Sequence, residues 1–474
     1  MRSPACASAG LWGKYRGILI LIVCLLPLSL GAKDSFRFRV YLRDKGETRY
    51  TLERPEEYLS KEAIERRARW GIPIDVSDLP ISPAYLDSLS ACGCTPVVTS
   101  KWFSTVVVST SDSLMAERLT NLSMVDSVKW VWKGEERRAD TLARETMADT
   151  LQFFIPENRK KSPYGYAEEQ IKMLNGIKLH EAGFRGEGMR VAVVDAGFTH
   201  VDQLPAFDSL RVLGMRNVVF PGRSVFMDDA HGTKVLSCLA ADVPGWMTGT
   251  APRASYWLIK SEDSRSEYPV EEDYWVSAME FADSVGVDVV SSSLGYSVFD
   301  VESLSYSQDQ LDGKTSLISR AAVCVAKKGI LLVCSAGNEG NGKWGKITFP
   351  ADAEGILAVG SVTEDKKRSS FSSMGFTADY RVKPDVVALG SGCCVIDSLG
   401  HIRYMSGTSF AAPVLAGLVV CLWQACPYLT NQEIISLLRE AGSQSDRPDA
   451  ELGYGIPDVY KAYKRGRKYA NESR

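Results

Sequence analysis

A serine hydroxyl is a poor nucleophile until a base takes its proton, and histidine is the side chain suited to that task near neutral pH. Only four histidines are available, His180, His200, His231 and His401, so any serine chemistry must draw on one of them. His231 stands apart: Gly232 and Thr233 follow it where a helix begins, and Asp228-Asp229 precede it. His200 and His401 read as exposed turn residues, and His180 as a surface or packing residue on a short helix. The serine in the most suggestive setting is Ser409, within Tyr404-Met405-Ser406-Gly407-Thr408-Ser409-Phe410-Ala411-Ala412-Pro413. Small residues lead into it, and the apolar run from Phe410 to Cys421 reads as a buried helix. At a helix mouth a hydroxyl projects outward, and the unpaired N–H groups of the first turn face developing negative charge. Taken alone, Ser409 reads as the N-cap of that helix, and only the rest of the chain can shift that reading.

Three other stretches end apolar runs with residues able to do chemistry. Arg190-Val191-Ala192-Val193-Val194 leads into Asp195-Ala196-Gly197, where a carboxylate at the end of a buried strand is costly unless paired. It could orient a histidine or accept the N–H groups of its own turn. Cys334-Ser335-Ala336-Gly337-Asn338-Glu339-Gly340 offers the Asn338 amide as an oxyanion donor, beside glycines that let a substrate backbone approach. Ser292-Ser293-Leu294-Gly295 ends a further strand in small residues suited to one wall of a peptide groove, with Ser293, Leu294, Gly295 and Gly337 as its lining.

Elements that could hold these residues in place follow from the periodicity. Between Arg190 and Val362, short apolar strands at Arg190 to Val194, Ser255 to Ile259, Val287 to Ser291, Ile330 to Cys334 and Ile356 to Val362 alternate with helices. Those helices lie at about Gly232 to Ala241, Glu271 to Val285 and Leu317 to Lys328. Buried strands interleaved with helices imply an α/β fold: a mostly parallel sheet covered on both faces, with ligands gathering beyond the carboxyl ends of its strands. Ahead of it, Phe36-Arg37-Phe38-Arg39-Val40-Tyr41-Leu42 alternates apolar and basic residues as a half-buried strand does. The pattern β, α, α, β, β, α, β then continues to Trp132 as a small α+β domain without a histidine. From Lys133 to Lys161 charge runs dominate, reading as a solvated linker open to nicking.

A chain of 474 residues exceeds one ordinary core, and 45% hydrophobic with 24% charged residues is the balance of a globular protein. Its net charge of −3, without a broad basic stripe, argues against nucleic acid as a partner. Lys14 and Arg16 ahead of the apolar stretch Gly17 to Leu30, with Ser29, Gly31 and Ala32 for cleavage, read as a secretory signal peptide over residues 1–32. The product is expected in a secreted, periplasmic or cell-surface location. Cys6 and Cys24 fall in that leader. The remaining cysteines are odd in number and lack zinc-site spacing, so most read as buried apolar residues, with disulfide pairing open.

Asp195-Ala196-Gly197, His231-Gly232-Thr233, Ala336-Gly337-Asn338 and Gly407-Thr408-Ser409-Phe410-Ala411-Ala412-Pro413 together resemble the four signatures of the subtilisin-like serine proteases, the subtilases of peptidase family S8. They stand in that family's Asp…His…Ser order. Gly249-Thr250-Ala251-Pro252, Phe349-Pro350-Ala351 and Lys383-Pro384-Asp385-Val386 are further matching pieces. The resemblance implies a secreted serine endopeptidase with Ser409 as nucleophile, His231 as general base and acid, and Asp195 orienting His231. Asn338 and the Ser409 N–H would make the oxyanion hole. It also implies a catalytic domain over 164–474, a charged linker over 133–163, and a propeptide-like domain over 33–132 that assists folding and inhibits in cis. Partners are then peptide or protein substrates and the chain's own propeptide, and a monomer is expected. No cofactor is required and no metal ligand is assigned; structural calcium stays open without a motif to support it. Two departures stand out. Ala196 replaces the usual Ser or Thr, and the linker is longer than usual. The alternative on the same scaffold is a non-catalytic peptide-binding protein, to which Ala196 is the one pointer.

Overall fold

The computed structural model describes residues 34–135, 153, 155 and 157–472. Residues 1–32, read above as a signal peptide, and most of the expected linker lie outside the described residues.

The first unit is a four-stranded antiparallel sheet, in the order β2-β3-β1-β4. Its elements are β1 (Asp34–Leu42), α1 (Lys61–Arg69), α2 (Pro83–Ala91), β2 (Thr95–Ser100), β3 (Thr105–Thr110), α3 (Met115–Thr120) and β4 (Val125–Glu135). This is the element order expected from the sequence. The last strand runs on through Glu135, so residues 133–135 belong to the sheet and not to a solvated linker. Phe38, Val40, Val106, Val108, Met115 and Leu119 form this unit's own core.

The basic side of β1 is where the half-buried reading needs correcting. Arg39 is 1% exposed, and its guanidinium meets both oxygens of Asp273 at 2.7 Å and the carbonyl of Pro269 at 2.9 Å. Arg37 bonds the Tyr274 hydroxyl and lies over the Trp132 ring. Of the arginines that period-two alternation assigns to solvent, Arg39 is thus buried and Arg37 half-buried against the second unit. A guanidinium satisfies that position because its planar donors match a carboxylate two for two.

The second unit holds seven parallel strands in the order β15-β12-β11-β10-β5-β9-β6. In chain order its elements are α4 (Glu168–Lys172), α5 (Gly176–Glu181), β5 (Arg190–Asp195), β6 (Arg211–Asn217), α6 (His231–Ala240), β7 (Asp242–Val243), β8 (Met247–Thr248) and β9 (Ser255–Lys260). Next come α7 (Val270–Ser284), β10 (Val289–Ser292), α8 (Leu317–Lys327), β11 (Leu331–Ser335), β12 (Leu357–Val362), β13 (Gly375–Phe376), β14 (Val382–Lys383) and β15 (Val386–Leu389). The hairpin β16 (Cys393–Ile396) and β17 (Ile402–Met405) leads to α9 (Thr408–Ala425), α10 (Asn431–Glu440) and α11 (Val459–Glu472).

Alternate residues along the strands serve opposite faces. Val191, Val193, Leu331 and Val333 pack with α6, α9 and α10. Ala192, Val194, Leu332 and Cys334 pack with α7 and α8, and Val98, Val107 and Trp132 of the first unit join that second core. Helix α9 is apolar and long enough to cross a bilayer, yet 89% of it is buried among these strands. The edge strands β6 and β15 had no clear signal in the sequence: β6 is mostly exposed, so no apolar run marks it. All nine described cysteines are free thiols.

Candidate active site

Strand β5 carries Asp195 to full burial at its carboxyl end. One carboxylate oxygen, Oδ1, accepts the Ala196 N–H at 2.8 Å and faces His231 Nδ1 at 2.7 Å. The other, Oδ2, is buried with no hydrogen-bond partner among the described residues. Alanine at 196 supplies no hydroxyl to this turn. The Ala196 carbonyl takes the ammonium of buried Lys260, the last residue of β9, and the Ser261 N–H donates to the Asp195 carbonyl at 3.1 Å. Sequence reasoning missed Lys260. Its signal was a lysine closing an otherwise apolar strand beside the aspartate.

His231 is the first residue of α6, and Asp229 accepts its backbone N–H at 2.7 Å, satisfying one orphan donor of that helix start. Gly232 permits the close approach. A Cβ there would fall 2.4 Å from the Gly197 carbonyl oxygen and 3.0 Å from the Asp195 Cβ. Burial alone would depress the imidazolium, but the charge and hydrogen bond of Asp195 outweigh it and hold the His231 pKa above its ordinary value.

Ser409 is not the cap of its helix. Gly407 holds that position and Ser409 lies inside the first turn of α9, 9% exposed. Pro413, four residues on, has no N–H, which leaves the Ser409 carbonyl without its helical donor. Ser293 Oγ donates to that carbonyl at 2.8 Å, so the loop after β10 is tied to the serine. The neighbouring Phe410 ring lies 6.0 Å from the His231 ring, bringing the starts of α6 and α9 side by side.

Asn338 lies exposed beyond the end of β11. Its Oδ1 accepts both the N–H of Thr408, at 2.9 Å, and the Thr408 hydroxyl, at 3.0 Å. With the carbonyl side of the amide committed to Thr408, the NH2 side is the one left to donate. Thr408 is the second residue whose role the sequence did not reveal; its place in the motif was the only signal. Gly337 has a left-handed φ of 104° and its carbonyl accepts the Ser373 N–H at 3.0 Å. Leu294 and Gly295 continue from Ser293 along the opposite wall, Leu294 being buried.

The other histidines stand elsewhere. His180 is buried, between the Tyr164 hydroxyl at 3.1 Å and the Thr250 carbonyl at 2.9 Å, and burial lowers its pKa to about 4. Of the two readings of His180, surface or packing, the second holds. His200 bonds the Ser398 carbonyl and is half-buried, so it is not the exposed turn residue expected, and His401 is exposed in the turn between β16 and β17. Among the described residues, no group of three or more His, Cys, Asp or Glu is arranged to hold a metal ion.

Residues 186–455, more than half of the chain, match the subtilase family, peptidase S8. The chain belongs to the subtilase family. It is therefore a serine-type endopeptidase by family, one that needs no catalytic cofactor. Residues 37–146 match the peptidase S8 propeptide domain of Bacteroidota, which covers the four-stranded unit. Similar relatives include subtilisin DY of Bacillus licheniformis, 29% identical over 279 residues, or 57% of this chain and 88% of that one. The major intracellular serine protease of Bacillus subtilis is 29% identical over 270 residues, 52% of this subtilase and 72% of the relative. Subtilisin E of the same species is 28% identical over 285 residues, covering 59% and 65%.

Proposed function

We propose that this subtilase is a secreted endopeptidase that cleaves peptide bonds through an acyl-enzyme on Ser409. In this reading His231 takes the Ser409 proton as the hydroxyl attacks the scissile carbonyl, then delivers it to the leaving amine. Asp195 holds the imidazole with Nδ1–H toward itself, so that Nε2 is the basic nitrogen, and stabilises the imidazolium that forms. The Asn338 amide and the Ser409 N–H receive the developing oxyanion. Water then attacks the ester, with His231 again as base.

The observation that carries the reading is the 2.7 Å contact from Asp195 Oδ1 to His231 Nδ1 at the mouth of the helix bearing Ser409. The Asn338 amide turned by Thr408 supports the oxyanion role. Secretion rests on the leader-like stretch at residues 1–32. Propeptide inhibition in cis rests on the domain match and on the burial of Arg39 against Asp273. Ser409→Ala should abolish both peptide hydrolysis and labelling by a fluorophosphonate. Persistence of either in the substituted protein refutes the assignment. N-terminal sequencing of the secreted product tests the leader and the maturation point together.

A further inference from the structure

Lys260 takes no part in the acyl transfer described above, yet its ammonium is buried where the segments carrying Asp195 and His231 meet. It closes β9 in register with Asp195 on the neighbouring parallel strand. Both therefore leave the sheet on one face, the face to which Val193 and Leu258 contribute two residues earlier and against which α6 packs. The Lys260 carbonyl accepts the Val218 N–H at 2.9 Å, which pins its backbone on the other side. The residue is 1% exposed, and its Nζ donates to the Ala196 carbonyl.

That carbonyl belongs to the turn that aims Asp195. The Ser261 N–H takes the Asp195 carbonyl and the Ala196 N–H returns to Asp195 Oδ1, so the ammonium completes the fixing of this backbone. Alanine at 196 adds no hydroxyl, and Oδ2 has no partner among the described residues, so the aim of the carboxylate depends on these backbone contacts.

The turn abuts the loop ahead of His231. A Cβ on Gly197 would fall 2.7 Å from the Asp229 carbonyl oxygen. That carbonyl accepts the Thr199 N–H at 3.1 Å and its hydroxyl at 2.7 Å, while Asp229 Oδ1 accepts the His231 N–H at 2.7 Å. Burial lowers the pKa of Lys260, and the charges of Asp228 and Asp229 in that loop, with Asp263 and Glu262 beyond β9, oppose the lowering. One ammonium thus holds the Asp195 turn by a hydrogen bond and the His231 loop by charge.

We propose that Lys260 is a positioning residue for the Asp195–His231 pair, clamping the turn of one to the loop of the other so that their 2.7 Å contact keeps its geometry. This rests on the proposed peptidase function and adds a residue to the same site. A lysine suits the place because a buried carbonyl beside carboxylates needs a charged donor on a long stem, and leaving it unpaired is costly. An aspartate out of line turns the base out of line, and such small misplacements are felt in turnover more than in binding.

The test compares the matured parent enzyme with Lys260→Met and Lys260→Arg, counting sites by saturating fluorophosphonate labelling so that kcat refers to folded enzyme. Lys260→Met should lower kcat by roughly tenfold or more with KM little changed. It should also shift upfield or broaden the far-downfield proton resonance of the hydrogen bond between Asp195 and His231. Lys260→Arg, which keeps a cation, should recover most of the kcat and the resonance. Should the methionine variant fold poorly, Lys260→Gln, which keeps a donor without the charge, is read in its place. A kcat per labelled site equal to the parent's, an unmoved resonance, or a loss in Lys260→Arg as large as without the cation makes Lys260 a packing residue and overturns the proposal while leaving the peptidase intact. Failure of the parent to hydrolyse any peptide, together with no labelling, overturns the peptidase reading itself and this one with it.

Discussion

Asp283→Ala should loosen the hold of the propeptide domain far more than any exposed pair at the same interface. Asp283 lies on α7 with its side chain fully buried, its Oδ1 2.5 Å from Arg66 and its Oδ2 2.7 Å from Arg67, both on α1. Arg66 also donates to the carbonyls of Val287 and Lys328, and the Ser60 N–H donates to the Ser284 carbonyl, so α1 clasps the ends of α7 and α8. Removing one partner of a buried ion pair costs about 3–5 kcal/mol, because the remaining charge stays desolvated. Arg67 keeps Asp78, at 2.9 Å, and Arg66 keeps its carbonyls, which points to the lower end, about 3 kcal/mol or roughly a hundredfold in affinity. Once the domains separate, residue 283 loses its arginine partners and faces water, so the cost falls on the complex.

The internal control is Glu62→Ala. Its pair with Arg190, at 3.5 Å, leaves both side chains about one-third exposed and is worth at most about 1 kcal/mol, less than roughly fivefold. The assay uses full-length Ser409→Ala protein, cut at a protease site introduced within residues 136–152. The dissociation constant of the cut propeptide is then read by dilution. Equal effects of the two substitutions, or a loss below fivefold for Asp283→Ala, would refute the claim that burial decides the strength of this clasp.

Asn338→Ala should lower kcat by roughly 10²–10³-fold with little change in KM. Thr408→Val, which removes one of two donors holding the Asn338 carbonyl, should give a smaller loss in the same parameter. Because Asp195 raises the His231 pKa and catalysis needs the neutral imidazole, the acid limb of the kcat/KM profile should lie above the ordinary histidine value. In Asp195→Asn that limb should move to lower pH as turnover falls; an unmoved limb would separate it from His231. His180 has the opposite sign, with its folded pKa lowered to about 4. Its contribution to stability is complete above the unfolded value of about 6.5 and is lost as pH falls from there toward 4. Urea unfolding at pH 7 and pH 5 should show that loss in the parent protein and a smaller one in His180→Gln.

The residues of the candidate site were legible because each stands at the end of a buried element. Asp195 closes an apolar run, His231 and Ser409 open helices, and Asn338 follows a strand between glycines. The same strand and helix periods indicated the central sheet, though not its edges. Strand β6 is too exposed to show an apolar run, and β15 is only four residues long.

Other features depended on what lies across from a residue in space. The alternation of apolar and basic residues in β1 identifies a strand with two different faces, but not whether the basic face meets water or a carboxylate. Only the packing of Arg39 on Asp273 decides that. Nor does a Gly-Thr-Ser string show that Thr408 turns the Asn338 amide, or that Pro413 frees the Ser409 carbonyl for Ser293. The nature of Asp195, His231, Ser409 and Asn338 follows from local chemistry, and their order along the chain carries the family resemblance. Which partner each one meets is set by contacts between segments far apart in the chain. Those contacts exist only once the segments have packed against one another, so no local pattern records them.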